Sequence, residues 1–281
     1  MEVMTNPSRQ VTRITPRRAW YDAGIGELVA AHELLFVFTK RLISVQYKQT
    51  LLGLGWAVIN PVVTTVVFTF IFGKLAALPS EGLPYPLFVL SALVMWQYFS
   101  RAVAAGSNSI VAIGHIVSKV YFPRMILPIS SALAGLVDVA VNLVVLVVLM
   151  AFYGRFPGLH FVFLPVFLFL LMLLTVGVSL GLSAVNALYH DVGHIVPYLL
   201  QVWMYLTPVI YPLDLVPSGW RWLLYLNPLT VLIQGVRWSV FPDAVHLEWI
   251  GFAIALPVIA IVLLVGLAIF RSVEPLLADY I

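Results

Sequence analysis

The chain has no cysteine among its 281 residues, so it has neither a disulfide framework nor thiolate chemistry. It is also short of charge. Only 10% of its residues are Asp, Glu, Lys or Arg, where a soluble domain carries about 25%. No Gly-x-x-x-x-Gly-Lys-Ser/Thr run occurs, so the chain carries no phosphate-cradling loop of its own. No closely spaced acidic pair falls on a loop, as a metal-dependent glycosyltransferase needs. No internal repeat is evident, which argues against transporters built from inverted halves. The first twenty residues are basic and polar with no apolar centre, unlike a cleaved leader, so the first membrane segment is expected to direct insertion.

What is abundant is apolar surface: 62% of residues are hydrophobic and the mean hydropathy is +1.03. One polytopic membrane domain is the economical reading. Six segments are long enough or nearly so: Leu51–Phe72, Tyr85–Ala105, Met125–Tyr153, Phe161–Tyr189, Ile195–Tyr211 and Leu247–Phe270. The first spans about 33 Å as a helix, and Pro61 within it is expected to kink it. The fifth is short and is bracketed by Pro197 and Pro208. Between the fifth and sixth, Pro212–Asp243 is apolar and aromatic yet broken by Pro217, Gly219, Asn227-Pro228 and Gly235. It is too interrupted for a span and too apolar for a free loop. A pair of short re-entrant helices fits, since broken backbone is tolerated in a membrane only against protein or water. The expected fold is therefore all-α: a tail over residues 1–24, an amphipathic interface helix over 25–49, and a six-span domain over 50–281.

The interface helix is read from its periodicity. At 100° per residue Glu33, Lys40, Arg41, Ser44 and Lys48 form one narrow stripe interrupted by Val37, while Leu28, Leu35, Phe38, Leu42 and Val45 fall away from it. The alternative is the solvated start of the first span. Orientation follows from the cations. Seven of the fifteen Lys and Arg precede Leu51. With Arg101, Lys119, Arg124 and Arg271 they put eleven on one face, against Lys74, Arg155, Arg221 and Arg237 on the other. Both termini are expected in the cytoplasm. The modest net charge of +3 suits anionic headgroups or a protein partner, not nucleic acid.

Few residues invite chemistry. Asp138 is the single acidic residue deep in a span, with Asn142 one turn later; a proton or cation site, a substrate contact and a structural bond to a neighbouring helix are the readings open to it. No basic partner is apparent within the membrane. Thr175, Ser179, Ser183 and Asn186 line one side of the fourth span beside Gly177 and Gly181, a small-residue pattern that favours close helix packing over a pore lining. His190, Asp191 and His194 have a spacing compatible with zinc but lack a third imidazole nearby. Trp96, Tyr98 and Phe99, and Tyr198, Trp203 and Tyr205, form two aromatic clusters that would suit sugar stacking or a headgroup belt.

Several stretches, taken in order, resemble the permease subunits of ABC-2-type exporters of the polysaccharide branch. They are Val45-Gln46-Tyr47-Lys48-Gln49-Thr50-Leu51-Leu52-Gly53-Leu54-Gly55-Trp56 leading to Asn60-Pro61, Phe70-Ile71-Phe72-Gly73, and Val117-Ser118-Lys119-Val120-Tyr121-Phe122-Pro123-Arg124 through Leu127-Pro128. Further on come Asn186, Tyr189, Asp191 and Val192, then Thr207-Pro208-Val209-Ile210-Tyr211, then Leu226-Asn227-Pro228-Leu229. His190 departs from the pattern, in which an Arg commonly precedes the Asp.

The resemblance implies a homodimer with the pore between copies, in a bacterial cytoplasmic (inner) membrane. Two cytosolic ABC ATPase subunits would hold ATP and magnesium, with no cofactor on this chain. It implies that the interface helix and the loop at about 106–120 meet the ATPases, which makes Glu33, Lys40, Ser109, His115 and Lys119 the coupling candidates. Arg41, Tyr47 and Lys48 lie where the diphosphate of a polyprenyl-linked glycan would arrive. Pro217, Trp220, Asn227 and Pro228 would belong to gate helices at the outer mouth. Alternatives are export of teichoic acid or of a smaller lipid or drug, an ion-coupled flippase that depends on Asp138, and a prenyl-phosphate transferase, for which Asp191 is the lone acidic candidate.

Overall fold

A computed structural model describes residues 25–48, 53, 55–113 and 122–277, and among these the chain is helical with no strand. We number ten helices in chain order. They are α1 (Ile25–Ala30), α2 (His32–Lys48), α3 (Gly55–Phe68), α4 (Tyr85–Asn108), α5 (Ile126–Phe152), α6 (Leu164–Leu188), α7 (Val192–Leu206), α8 (Ser218–Tyr225), α9 (Pro228–Val240) and α10 (Trp249–Val273).

Among the described residues five helices are long and apolar enough to cross a membrane: Gly55–Leu75, Tyr85–Asn108, Ile126–Phe152, Leu159–Leu188 and Trp249–Val273. The fifth segment expected from sequence is not among them. It forms α7, whose 15 residues rise about 22 Å, less than the ~30 Å hydrocarbon core. The first span differs from expectation in another way. The chain stays helical through Pro61, and the departure from α geometry comes later, where Thr69–Leu75 widens into π turns.

Helix α4 is the hub. Over its hydrophobic window 78% of residues are buried, and α3, α5, α6, α7 and α9 all pack on it. Its start is set by Pro86 in the first turn, where a missing N–H costs nothing. Helices α6 and α10 form the closest pair. A side chain at Gly266 would begin 2.0 Å from the Gly177 carbonyl oxygen, so only glycine permits this approach. The small-residue stripe of α6 serves packing as expected: Thr175, Ser179 and Ser183 are fully buried. Two short helices, α8 and α9, do occupy the proline-broken stretch. They differ in kind, for α8 is largely exposed while every residue of α9 except Trp238 is buried among α4, α6 and α10.

Candidate functional site

At the basic end of the molecule α2 presents Glu33, Lys40, Arg41 and Lys48 outward, with Ser44 half-buried. Its opposite side, however, meets protein. Leu34 and Phe38 pack into a cluster with Phe122, Met125 and Phe270, and the Phe38 and Phe122 rings stack 5.7 Å apart. Of the apolar residues left exposed, Phe36 and Val45 flank the cations, Val37 lies among them, and Leu42, 37% exposed, stands on the opposite side. Helix α2 therefore runs along α5 instead of lying with its apolar side free. Phe38 touches the residue four before α5, whereas Tyr47 reaches Asp138, twelve residues into it and about 18 Å further along. The front of this foot is tied down ionically: Arg271 at the end of α10 reaches Glu27 at 3.9 Å and Glu274 at 2.6 Å, and Arg124 donates to the Glu274 carbonyl at 2.8 Å.

Asp138 is not isolated. The Tyr47 hydroxyl donates to its Oδ1, Gln46 Nε2 donates to Oδ2 at 3.1 Å, and Arg101 Nη1 stands 3.7 Å away. Burial, and next the bond to Asp138, push the Tyr47 phenol up from its ordinary value. One sequence expectation changes here: Asp138 has a basic partner, and it also engages the half-buried Tyr47 hydroxyl. Asn142 is buried beside it, its Oδ1 unpaired among the described residues.

The two aromatic clusters separate sharply. Trp96, Tyr98 and Phe99 are buried in the protomer core, with the Tyr98 hydroxyl donating to the Ala132 carbonyl at 3.1 Å, so they line no open surface. Trp203 is half-buried: it meets Phe99 edge-on at 5.3 Å and donates Nε1 to Asn227 Oδ1 at 3.2 Å. Tyr198 and Tyr205, by contrast, are 72% and 54% exposed. With exposed His194 and Gln201 they recur at three- and four-residue steps, a polar and aromatic stripe along one face of α7.

At the other end of the molecule, Pro217 caps α8 and Trp220 stands exposed on it. Asn227 and Pro228 begin α9. The Asn227 side chain accepts from the Leu229 N–H, an N-cap, and its Nδ2 donates to Thr207 Oγ1 at 2.9 Å; Pro228 fills the first helical position. Sequence reasoning missed Arg237, counted above among the cations of the face opposite the foot. It is fully buried, lies 3.6 Å over the Phe88 ring, and donates to the carbonyls of Phe88, Pro208 and Val209. Nearby, burial raises the Glu81 carboxyl above its ordinary value, against the pull of Arg237. Glu81 helps line a cavity of about 290 Å³ with Asp214, Tyr225, Gln234, His246 and Glu248.

Asn186 forms the other polar junction. Its Nδ2 donates to the Ser107 carbonyl and to Asn108 Oδ1, and its Oδ1 accepts from the Gly193 N–H at 2.7 Å, so it binds the ends of α4 and α6 to the start of α7. Ser109, half-buried beyond α4, donates to the Gly106 carbonyl. His115 and Lys119 lie outside the described residues, as do Gln49–Leu52, Leu54 and Val117–Tyr121 of the quoted motifs. Gly177-Val178-Ser179-Leu180-Gly181 has the spacing of a serine nucleophile elbow, but it is the middle of a buried helix and not a strand-to-helix turn.

Residues 33–241 match the family model described as ABC-2 type transporter. The chain belongs to the ABC-2 transporter family. Among its relatives is the O-antigen export system permease protein RfbA of Myxococcus xanthus, 30% identical over 257 residues that cover 88% of this chain and 95% of the relative. The protein of that name from Klebsiella pneumoniae is 28% identical over 243 residues, covering 86% and 92%. The polysialic acid transport protein KpsM of Escherichia coli is 25% identical over 248 residues, covering 86% and 93%. The family match begins at the second residue of α2 and ends one residue past α9. It thus takes in the foot, the Asp138 cluster, the α7 stripe and the Arg237 clasp of this ABC-2 permease.

Proposed function

We propose that this permease is the membrane subunit of an ATP-driven exporter that moves polyprenyl-diphosphate-linked polysaccharide of the O-antigen type outward across the bacterial inner membrane. The observation that carries the reading is the stripe His194, Tyr198, Gln201 and Tyr205. It lies on a helix too short to span and is exposed where the neighbouring surface is apolar. A polar stripe facing lipid would be costly, so a wet, sugar-compatible path between two copies of the chain is its natural setting. Aromatic faces flanking a polar path suit pyranose rings, and the names of the relatives point to the same substrate class.

In this mechanism α7 together with residues 207–211 after it makes the short fifth crossing of six, with both termini in the cytoplasm, and α8 with Pro217 and Trp220 covers the outer mouth. ATP and magnesium bind two separate cytosolic subunits, because the chain has no nucleotide loop. Those subunits dock on the outward side of α2 around Glu33 and Lys40 and on the segment following α4, from Ser109 through His115 and Lys119. Arg41 and Lys48, both exposed, meet the incoming diphosphate as cationic donors. A rigid-body change between the two copies opens the path.

Mild-detergent purification tests this directly. A stoichiometric ATPase subunit is expected to co-purify and to sustain ATP-dependent glycan movement in vesicles. Purification of the permease with no ATPase partner, or transport unchanged after ATP is removed, would overturn the reading.

A further inference from the structure

We infer that Asp138 is the joint through which movement of the cytosolic foot reaches the membrane helices. The inference rests on the exporter reading and assigns its coupling to specific side chains.

The geometry is that of a fastener between three elements. One carboxylate on α5 takes two donors from the last turn of α2 and faces a guanidinium on α4. The donors lie 91 and 92 residues away in sequence, so these bonds join parts of the fold that local structure does not hold together. A carboxylate accepts about four hydrogen bonds, so the one Asp138 side chain holds both donors at the far end of α2. The preceding helix α1, joined to α2 by the bonds of Ala31 N–H to the Glu27 carbonyl and of Leu35 N–H to the Ala31 carbonyl, is held separately by Glu27 and Arg271. The foot of α1 and α2 is thus pinned twice, at α1 to the tail of α10 and at the last turn of α2 to the middle of α5, while the charged side of α2 faces outward. A push on that side turns a stiff rod about two pins. The second pin delivers the force to α5, and through Arg101 to α4, the helix on which most of the bundle packs.

The site also has the chemistry of a joint more than of an ion carrier. Its oxygens are engaged by a phenol, an amide and a guanidinium, and Asp138 is buried. A proton carrier needs a path to both faces, whereas a joint needs strong bonds that survive motion. Charge-assisted bonds to a buried carboxylate meet that need.

The test uses the whole complex in lipid vesicles. Because the chain has no cysteine, Phe152→Cys at the exposed outer end of α5 places one spin label per copy. In the parent, ATP with vanadate is expected to change the separation of the two labels. Tyr47→Phe and Asp138→Asn, singly and together, are expected to shrink that change and to lower transport per ATP hydrolysed about tenfold, within the span over which coupling networks act. ATP hydrolysis by the partner subunits continues. The double variant is expected to be little worse than Asp138→Asn, the signature of one shared interaction. A purely structural role would lower thermal stability and ATP hydrolysis together and leave transport per ATP as in the parent. That result, or an undiminished label shift in the double variant, overturns the joint alone. No ATP-driven shift in the parent overturns the exporter reading along with it.

Discussion

A guanidinium with no exposed surface and no carboxylate within ion-pair distance among the described residues has to be held by something else, and Arg237 is held by carbonyls. Its two Nη atoms bridge Phe88 at the start of α4 and Pro208 and Val209 in the turn after α7, and the Phe88 ring lies beneath it. Pro208 explains why the turn needs such a clasp: a segment that leaves helix geometry has carbonyls with no ladder to join. Arg237→Met keeps much of the volume but orphans the buried carbonyls of Pro208 and Val209, while that of Phe88 keeps the Ser91 hydroxyl. Each unpaired buried group costs about 1–3 kcal/mol, so the variant is expected to lose on the order of 2 kcal/mol or more, read as a lower unfolding midpoint of the purified protein. Arg237→Lys is expected to recover only part of the loss, because one ammonium does not reproduce the planar fork. A midpoint unchanged in Arg237→Met would refute the clasp. In the sequence this residue looks like one more outer charge, since nothing local distinguishes it from Arg155 or Arg221. Its role exists only once α4, the α7 turn and α9 are brought together.

Between elements, the clearest constraint is the contact of α6 with α10. Gly177 meets the Leu263 backbone, and Gly266 meets the Gly177 carbonyl so closely that an added methyl has no room. Gly266→Ala is expected to force the two helices apart at a cost of about 1–3 kcal/mol, seen as a lower unfolding midpoint, and an unaltered midpoint would refute the close approach. This packing was legible beforehand, because small residues spaced along a hydrophobic run have one dominant use in a membrane. The short α8 and α9 were legible for a similar reason, their prolines and glycines being local signals. What could not be read was how helices share surfaces. Trp96, Tyr98 and Phe99 carry the same residue types as Tyr198 and Tyr205, yet α4 is central and buries them, while α7 leaves its tyrosines at the edge. The apolar side of α2 was recognised but assigned to lipid, because periodicity reports that a face is buried without naming what covers it.

At the scale of the whole molecule, the described residues leave a large apolar surface with a polar seam along α7. Exposed residues such as Val144 on α5 and Leu264 on α10 suit acyl chains. His194, Tyr198, Gln201 and Tyr205 do not, and a channel closed by a second copy would keep them wet. Thiol chemistry separates the two environments, because the reactive species is the thiolate and it does not form in hydrocarbon. The parent contributes no background, having no cysteine. A water-soluble maleimide is therefore expected to label Tyr198→Cys, Gln201→Cys and Tyr205→Cys in the assembled complex, faster during ATP turnover than at rest. Val144→Cys and Leu264→Cys are expected to stay unlabelled under the same conditions. If the α7 positions remain as unreactive as the two controls in both states, the seam is not part of an aqueous path.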